Sequence, residues 1–287
     1  MHALANLALH PLLAVAEHGA EHAPAQPAGA PELPNIITLL SHRFHDVPFI
    51  AFLHHWENVI YAFTVAIIIS IVAWAATRRR TLLPGKLQNF LEMVVEGLDN
   101  FIAGILGPEG RKYTPFLGSL FIYIWCMNMF GLIPGMMSPT GGKNGINTTA
   151  GLAICVFLYV QYSGLRKQGV VGYVDHLMGN PRSVVQWCLV PLNLPIHIIG
   201  ELAKPLSLSL RLFGNITGED VLLAAFVGLG IAATAFLHSP VGLPLHIPFI
   251  FLALLTGTIQ ALVFTLLSTV YFSMMIAEHH HEEEHAH

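Results

Sequence analysis

The stretch KPLSLSLRLFGN, Lys204–Asn215, decides the class of this chain because it sets an arginine inside a long apolar segment. Apolar residues dominate Ser183–Phe213, and a second run, Val221–Leu237, extends the same predicted helix. The guanidinium of Arg211 keeps its proton at any biological pH. Placing it near the centre of a bilayer costs about 2.5–3.5 kcal/mol on insertion scales. An arginine retained at that cost marks a functional site, so Arg211 is the first candidate residue.

The composition of the whole chain agrees with a membrane protein. Of 287 residues, 54% are hydrophobic and 10% charged, whereas about a quarter of the residues in soluble proteins are charged. Val221–Ala277 contains no Asp, Glu, Lys or Arg, which leaves room for two spans of about 20 residues each. Cys126, Cys155 and Cys188 lack the paired spacing of a disulfide framework or zinc site. We predict an all-α polytopic membrane protein with no metal, no cofactor and no nucleic-acid partner.

Five apolar segments reach the length of a span, and one amphipathic segment lies between them. The predicted spans are Val59–Ala76, Pro115–Ile133, Thr149–Tyr162 extended at its start, Ser183–Leu237 and Phe249–Ala277. In Pro84–Gly110, apolar residues recur at helical spacing with Glu92, Glu96 and Asp99 opposite. This pattern predicts an amphipathic helix on the membrane surface. A polar connector is predicted from Arg166 to Arg182.

Two tails flank the predicted membrane domain, residues 41–277. The first, residues 1–40, is rich in Ala, Pro and His and has no positively charged region before its apolar stretch Leu4–Ala16. We expect a mobile tail or a surface helix there rather than a cleaved signal peptide. The second, residues 278–287, is rich in Glu and His and is predicted to be solvated. Neither tail is predicted to form a separate soluble domain.

The basic residues predict the orientation in the membrane. Nine of the thirteen Lys and Arg residues fall in loops that alternation of the spans puts on one side. They are Arg78, Arg79, Arg80, Lys86, Arg111, Lys112, Arg166, Lys167 and Arg182. Because positively charged loops remain in the cytoplasm, we predict the N-terminus outside and the C-terminus inside. The loops that carry Asn144 and His238 then face outside.

Polar side chains recur on one face of the predicted helix around Arg211. At about 100° per residue, six of them share a stripe about 80° wide. They are His197, Glu201, Lys204, Arg211, Asn215 and Glu219. A polar stripe within a membrane should face protein or a water-filled cavity. The stripe therefore predicts a polar path along this helix.

Arg211 has no obvious partner in its own helix. Asp220 projects from a different face and lies about 13 Å along the axis, while Glu201 lies about 15 Å the other way. The open alternatives are Gln260 or other groups on the last helix, water, or a carboxylate on another chain. Lys204 either joins the stripe or extends its charged end to the nearby interface.

The arrangement suits ion transfer, since carboxylates and imidazoles relay protons. His197 and Glu201 lie toward the predicted inner side, with Asp220, and as a weaker candidate His246, toward the outer side. Two other classes compete with this interpretation. A proton-coupled secondary transporter usually shows an internal repeat with paired broken helices, and a membrane cytochrome needs histidines on facing spans. Neither pattern is present in the sequence, where His197 is the one clearly intramembrane histidine.

Lys204–Asn215 closely resembles the signature of subunit a of F-type ATP synthases. Supporting segments in the same order cover roughly residues 40–277. These are Gly85–Glu96, Tyr113–Pro134, Asn147–Thr149 and Gln260–Thr265. The resemblance implies a fold whose last two helices are long and tilted along a ring of c subunits.

The resemblance also implies the function. Protons would enter through one half-channel, protonate a carboxylate on a c subunit, and leave through a second, offset half-channel after the ring turns. Arg211 would keep the arriving carboxylate ionised and block leakage between the half-channels. The subunit itself is non-catalytic, because ATP is made on the soluble F1 head. Its implied partners are the c-ring, the b subunits of the peripheral stalk, the F1 head and the lipid of a bacterial inner membrane.

Residue by residue, the match is close near the arginine and weaker beyond it. Ser207, Asn215 and Gln260 match family positions near Arg211. His197 stands where many members carry Glu, so we expect Glu201 to take the inner-channel role. Asp220 stands at a position often held by Glu or His, but its usual partner position on the last helix is Ala253 here. Asp220 with Glu219 is our prediction for the outer half-channel, and H⁺ for the coupling ion.

Overall fold

The computed structural model describes residues 35–43, 48–78, 85–142, 144–178, 184–235 and 244–284. Within these ranges the regular structure is entirely helical. The α-helices are α1 Ile36–Arg43, α2 Pro48–His55, α3 Glu57–Thr77, α4 Lys86–Leu106, α5 Thr114–Gly131, α6 Gly145–Met178, α7 Val184–Ala235 and α8 Ile247–Glu284. A short 3₁₀ helix, Pro108–Tyr113, joins α4 to α5. The predicted all-α class is confirmed.

Five of the described helices contain segments long and apolar enough to cross a membrane. These segments are Glu57–Thr77, Gly110–Gly131, Gly145–Lys167, Cys188–Ala233 and Ile247–Met275. The five predicted spans are therefore confirmed, with ends that differ by a few residues. A straight helix of 46 residues, the fourth segment, would be about 69 Å long. Since a bilayer core is about 30 Å thick, α7 must bend or run at a steep incline.

Contacts between the spans define two ends of the bundle. At the loop end lies the α5–α6 loop, residues 132–144, where the side-chain amide of Asn58 donates to the carbonyl of Pro139 at 3.4 Å. At the basic end, a Cβ on Gly164 of α6 would lie 3.3 Å from the sulfur of Met275 of α8. Arg78, Arg111, Lys112, Arg166 and Lys167 lie toward the basic end. Successive spans thus alternate in direction, as the sequence predicted.

The core forms where α5, α6, α7 and α8 meet. On α7, Leu208, Leu212 and Ile216 are buried, and their spacing of four residues lines them up on one helix face. Leu206 and Leu210, on another face of the helix, are exposed. An apolar residue exposed on a membrane helix faces lipid or another chain. One face of α7 therefore packs against the other helices of this chain, while another face is open to lipid or to another chain.

The amphipathic segment forms α4, which is not among the five span-length segments. Ile102 of α4 is fully buried in the core, whereas Phe90 and Met93 are exposed. Asp99 accepts a hydrogen bond of 2.7 Å from the hydroxyl of Thr114 and lies 3.4 Å from Nε of Arg111. These polar contacts of Asp99 fasten α4 to the start of α5.

The structure differs from the sequence-based prediction after Lys167. The predicted polar connector is helical as far as Met178, with a break at Gly169, where φ is 73° and ψ 171°. This backbone region is essentially restricted to glycine. The break redirects the chain so that residues 170–178 pack against the bundle instead of crossing it. Residues 179–183, including Arg182, lie outside the described residues.

The ends of the chain also differ from the prediction. Helix α1 starts within the predicted N-terminal tail, where Asn35 caps it by accepting from the backbone N–H of Thr38 at 2.7 Å. Helix α8 continues past Ala277 to Glu284. Most of the predicted N-terminal tail, residues 1–34, and the last residues, 285–287, lie outside the described part of the chain. So do Arg79, Arg80, Lys143 and His238.

Candidate functional site

Arg211 lies midway along α7 and is exposed on the surface of this chain. Its helical neighbours Leu208 and Leu212 are buried in the core, so the arginine projects from the side that the bundle leaves open. Among the residues that the structure describes, no carboxylate forms a salt bridge with it. The absence of a partner in its own helix agrees with the spacing argument. A guanidinium in an apolar setting, with no carboxylate partner among the described residues, is poised for an anion from elsewhere.

One turn beyond the arginine, Asn215 connects α7 to α8. Its side-chain amide donates to Oε1 of Gln260 at 2.7 Å. Gln260 is buried, and its Nε2 has no partner among the described residues. The hydrogen-bond partner of Gln260 in the described structure is thus Asn215 rather than Arg211. Ser207, one turn before the arginine, is exposed on α7.

Toward the basic end, Glu201 is the centre of a polar cluster. Nζ of Lys204 forms an ion pair with Oε1 of Glu201, and Nε2 of Gln161 donates to Oε2 at 3.1 Å. The Glu201 side chain is 12% exposed and that of Lys204 23%. Lys204 therefore pairs within the stripe and does not extend alone to the interface. His197, one turn before Glu201, is half-buried.

Two further residues complete this cluster. The hydroxyl of Tyr173, beyond the break in α6, donates to Oε1 of Gln161 at 2.9 Å. Burial raises the pKa of Tyr173, and the negative charge of Glu201 raises it further. Nζ of Lys204 also lies 5.5 Å from the ring centre of Tyr271 on α8. Glu201, Lys204 and Tyr271 line a small cleft between α6, α7 and α8.

Toward the loop end, the two adjacent acidic residues of α7 have different surroundings. Asp220 reaches the α5–α6 loop so closely that a Cβ on Gly141 would overlap its Oδ2. Glu219 is half-buried, and its Oε2 has no hydrogen-bond partner among the described residues. Burial of an ionised carboxyl without a donor is costly. The two residues predicted for the outer half-channel thus lie toward the loop end of α7, where Asp220 contacts the loop at Gly141.

The loop itself is held by buried side-chain hydrogen bonds. Asn128 of α5 donates to the carbonyl of Gly257 on α8 at 3.1 Å and accepts from the hydroxyl of Thr140 at 3.1 Å. Because Thr140 donates to Asn128, the Ser138 hydroxyl is the donor in its 2.8 Å contact with the Thr140 hydroxyl, and the carbonyl of Met127, 3.3 Å from Ser138, is a second acceptor for the same proton. These bonds fix the loop between α5 and α8, and so fix the wall against which Asp220 lies.

Sequence reasoning missed Gln161, Tyr173 and Thr140 as parts of the site. Gln161 was visible as a polar residue at the end of an apolar span, but its partners are distant in sequence. The hydroxyl of Ser209 on α7 lies 3.2 Å from that of Thr149 on α6. Each of these contacts depends on which helix faces are packed together.

Comparison with known proteins identifies the family of this chain. A family model described as ATP synthase A chain matches residues 59–273. ATP synthase subunit a of Protochlamydia amoebophila is 50% identical over 241 residues, which cover 84% of this chain and 88% of that protein. ATP synthase subunit a of Solidesulfovibrio magneticus is 43% identical over 215 residues, covering 75% and 82% respectively.

These matches span all five membrane-crossing segments and include the polar residues of α7 and α8. An identity of 50% over most of both chains is far above what a shared helical composition produces. The chain therefore belongs to the ATP synthase subunit a family and is a multi-pass membrane protein.

Proposed function

We propose that this chain is the proton-channel stator of an FoF1 ATP synthase, with Arg211 as the gate between two offset half-channels that serve the c-ring carboxylates. The observation that carries the proposal is the exposure of Arg211 on the open side of α7, without a carboxylate partner among the described residues. A carboxylate on a neighbouring rotor helix would supply the missing anion. The chain would couple ion flow to rotation and would carry out no chemistry on ATP.

The spacing of titratable groups along α7 supports two half-channels. Glu201 and Asp220 are 19 residues apart in sequence, which is about 28 Å along a helix and close to the thickness of a bilayer core. Arg211 lies near the middle of this interval. A proton entering beside Asp220 and Glu219 therefore cannot reach Glu201 along this helix without passing the fixed positive charge. It must travel instead on the rotor.

The charge of Arg211 suits this role for a physical reason. A guanidinium favours an ionised carboxylate beside it, so an arriving rotor carboxyl group would release its proton there. One elementary charge crossing 100 mV releases about 2.3 kcal/mol. A direct leak past Arg211 would dissipate this energy, and the arginine would repel a proton that follows such a path.

We further propose that the basic end lies in the cytoplasm of a bacterial cell, as the positive-inside rule predicts. The N-terminus would then lie outside, in the periplasm, and the C-terminus inside. The c-ring would contact the open side of α7, and the b subunits of the peripheral stalk would hold the chain against rotation relative to the F1 head. The proposed coupling ion is H⁺, and sodium-stimulated activity at high pH would contradict it.

The test is the variant Arg211→Ala in assembled complexes. We expect ATP-driven proton uptake into inverted membrane vesicles to be lost while the complex still assembles. Arg78→Ala is a matched control, because Arg78 has the same charge but lies beside Trp74 at the basic end of α3. Normal coupled pumping by Arg211→Ala would refute the proposed function, whereas loss of pumping by both variants would show that removing an arginine is generally harmful.

The proposed role of Asp220 has its own test. Asp220→Asn removes a titratable group at the loop end while keeping the shape of the side chain. We expect proton flux from that side to slow without stopping, because Glu219 is adjacent. Glu92→Gln, on the amphipathic helix α4, is the control for loss of one carboxylate. An unchanged flux from pH 6 to 9 would remove Asp220 from the path.

A further inference from the structure

The carboxylate of Glu201 is held from two sides by groups on different helices. Oε1 is paired with Nζ of Lys204 on the same helix, while Oε2 accepts from Nε2 of Gln161 on α6 at 3.1 Å. Gln161 in turn accepts from the hydroxyl of Tyr173 at 2.9 Å through its Oε1. A continuous line of hydrogen bonds thus runs from the segment beyond Gly169 to Glu201.

The break at Gly169 creates this line. Tyr173 is 12 residues after Gln161, and in an unbroken helix the two would be separated by about 18 Å. The break at Gly169, with φ of 73°, brings the tyrosine hydroxyl back to hydrogen-bond distance. The segment after the break ends at Met178, whose backbone carbonyl accepts a hydrogen bond of 3.3 Å from the side-chain amide of Asn193 on α7.

The carboxylate of Glu201, which only accepts, selects the Nε2 end of the Gln161 amide, and the tyrosine adds a donor to the other end. A tyrosine hydroxyl that donates to Gln161 needs an amide oxygen as its acceptor. Engaging Oε1 in this way leaves the amide Nε2 facing the carboxylate as a donor. Without Tyr173, the carboxylate alone would hold the amide, and Oε1 of Gln161 would lose its donor.

We infer that Gln161 and Tyr173 are positioning residues of the basic-end half-channel, with Gln161 holding the carboxylate of Glu201 in place and Tyr173 acting only through Gln161. This inference rests on the proposed function. Neither residue carries the proton in this scheme, because an amide holds its hydrogens. Their effect is to fix the position of the Glu201 carboxylate by a donated hydrogen bond.

The groups around Glu201 come from three helices. On α7 these are Lys204 and, one turn away, His197. On α6 they are Gln161 and, beyond the break, Tyr173, and on α8 the phenol of Tyr271 lies beneath Lys204. Lys204 supplies the positive charge, so removal of Gln161 leaves the ion pair in place. The change in proton affinity then isolates the contribution of the amide.

The test measures the pH dependence of ATP-driven proton uptake in inverted vesicles, where the basic end is proposed to face the outer buffer. Removing an N–H donor from a carboxylate increases its proton affinity. For Gln161→Leu we expect the pH at which uptake falls to half its maximum to rise by about one unit, a tenfold change in affinity. Tyr173→Phe should shift it in the same direction by a smaller amount.

The double variant is the decisive measurement. Because Tyr173 is inferred to act through Gln161, the double variant Gln161→Leu with Tyr173→Phe should match Gln161→Leu alone. Additive shifts, or no shift in either single variant, would overturn the inference. If the complex with Gln161→Leu does not assemble, Tyr173→Phe alone tests the inference, because this substitution removes one hydroxyl and keeps the ring. A profile for Tyr173→Phe equal to that of the unaltered complex would then refute it.

Two controls separate this inference from the proposed function. Tyr162→Phe makes the same chemical change at the residue after Gln161, whose side chain is exposed, and should leave the profile unaltered. Arg211→Ala in the same vesicles tests the channel itself. Loss of pumping in Arg211→Ala with unaltered profiles for the Gln161 and Tyr173 variants would refute this inference alone. Normal pumping in Arg211→Ala would refute the proposed function instead.

Discussion

Replacing Thr140 by valine tests whether the α5–α6 loop is held by its buried hydrogen bonds. Thr140 is fully buried. Its hydroxyl donates to Oδ1 of Asn128 at 3.1 Å and lies 2.8 Å from the hydroxyl of Ser138. Valine has nearly the same shape, so packing is kept while both hydrogen bonds are lost. Each bond contributes about 1 kcal/mol net, and we therefore expect the loop to be destabilised by about 2 kcal/mol.

Hydrogen exchange of the loop amides in the assembled complex measures this change directly. The backbone N–H of Met136 donates to the carbonyl of Ile133 at 2.9 Å, and that of Gly141 to Ser138 at 3.2 Å. When local opening is in rapid equilibrium, the exchange rate follows the free energy of opening. A change of about 2 kcal/mol corresponds to roughly 30-fold faster exchange.

Thr265→Val is the matched control for this experiment. Thr265 is also buried, but its hydroxyl donates to the carbonyl of Ala261 in its own helix at 3.0 Å. That carbonyl keeps its backbone partner after the substitution, so we expect a change in exchange of no more than about twofold. Less than threefold acceleration in Thr140→Val, or equal effects in both variants, would refute the assignment of the loop's stability to this network.

Three further substitutions test other parts of the site. Gly141→Ala would press a methyl group onto Asp220. We therefore expect proton flux from the loop end to fall at least as far as it does in Asp220→Asn. Gly169→Ala places a side chain at φ of 73°, at a cost of about 1–2 kcal/mol, and should increase trypsin cleavage at the adjacent basic pair about tenfold. Asn215→Leu removes the donor to the buried side-chain oxygen of Gln260. A double-mutant cycle at these two positions, measured on the thermal stability of the complex, should give a coupling energy of about 1 kcal/mol. Additive effects of the two substitutions would contradict the contact.

The predictions that succeeded rest on local properties of the chain. Hydropathy and length identified the five membrane-crossing segments, because a bilayer core demands about 20 apolar residues wherever a helix crosses it. Helical periodicity showed that neither Glu201 nor Asp220 meets Arg211 from the same helix, because the distance along an axis follows from residue number alone. The class of the protein and its central residue were therefore accessible without a structure.

The predictions that failed concern segments where tertiary packing overrides local polarity. Residues 168–178 were predicted to belong to a connector, but the break at Gly169 lets them fold back as a helix against the bundle. For Lys204 the sequence left two alternatives open, and the packing of α6 against α7 decides between them by pairing it with Glu201. The polarity of a side chain indicates which surroundings it tolerates, but it does not determine which residue the side chain contacts.

The sequence by itself thus determined that this chain crosses a membrane five times and carries an intramembrane arginine on a polar helix face. Only the tertiary structure decided that Gln260 meets Asn215, that Gln161 and Tyr173 hold Glu201, and that Gly141 lies against Asp220. The physical reason is that each of these contacts joins residues far apart in sequence. Their meeting depends on the relative rotation and axial position of packed helices, which side-chain interdigitation sets across the whole core.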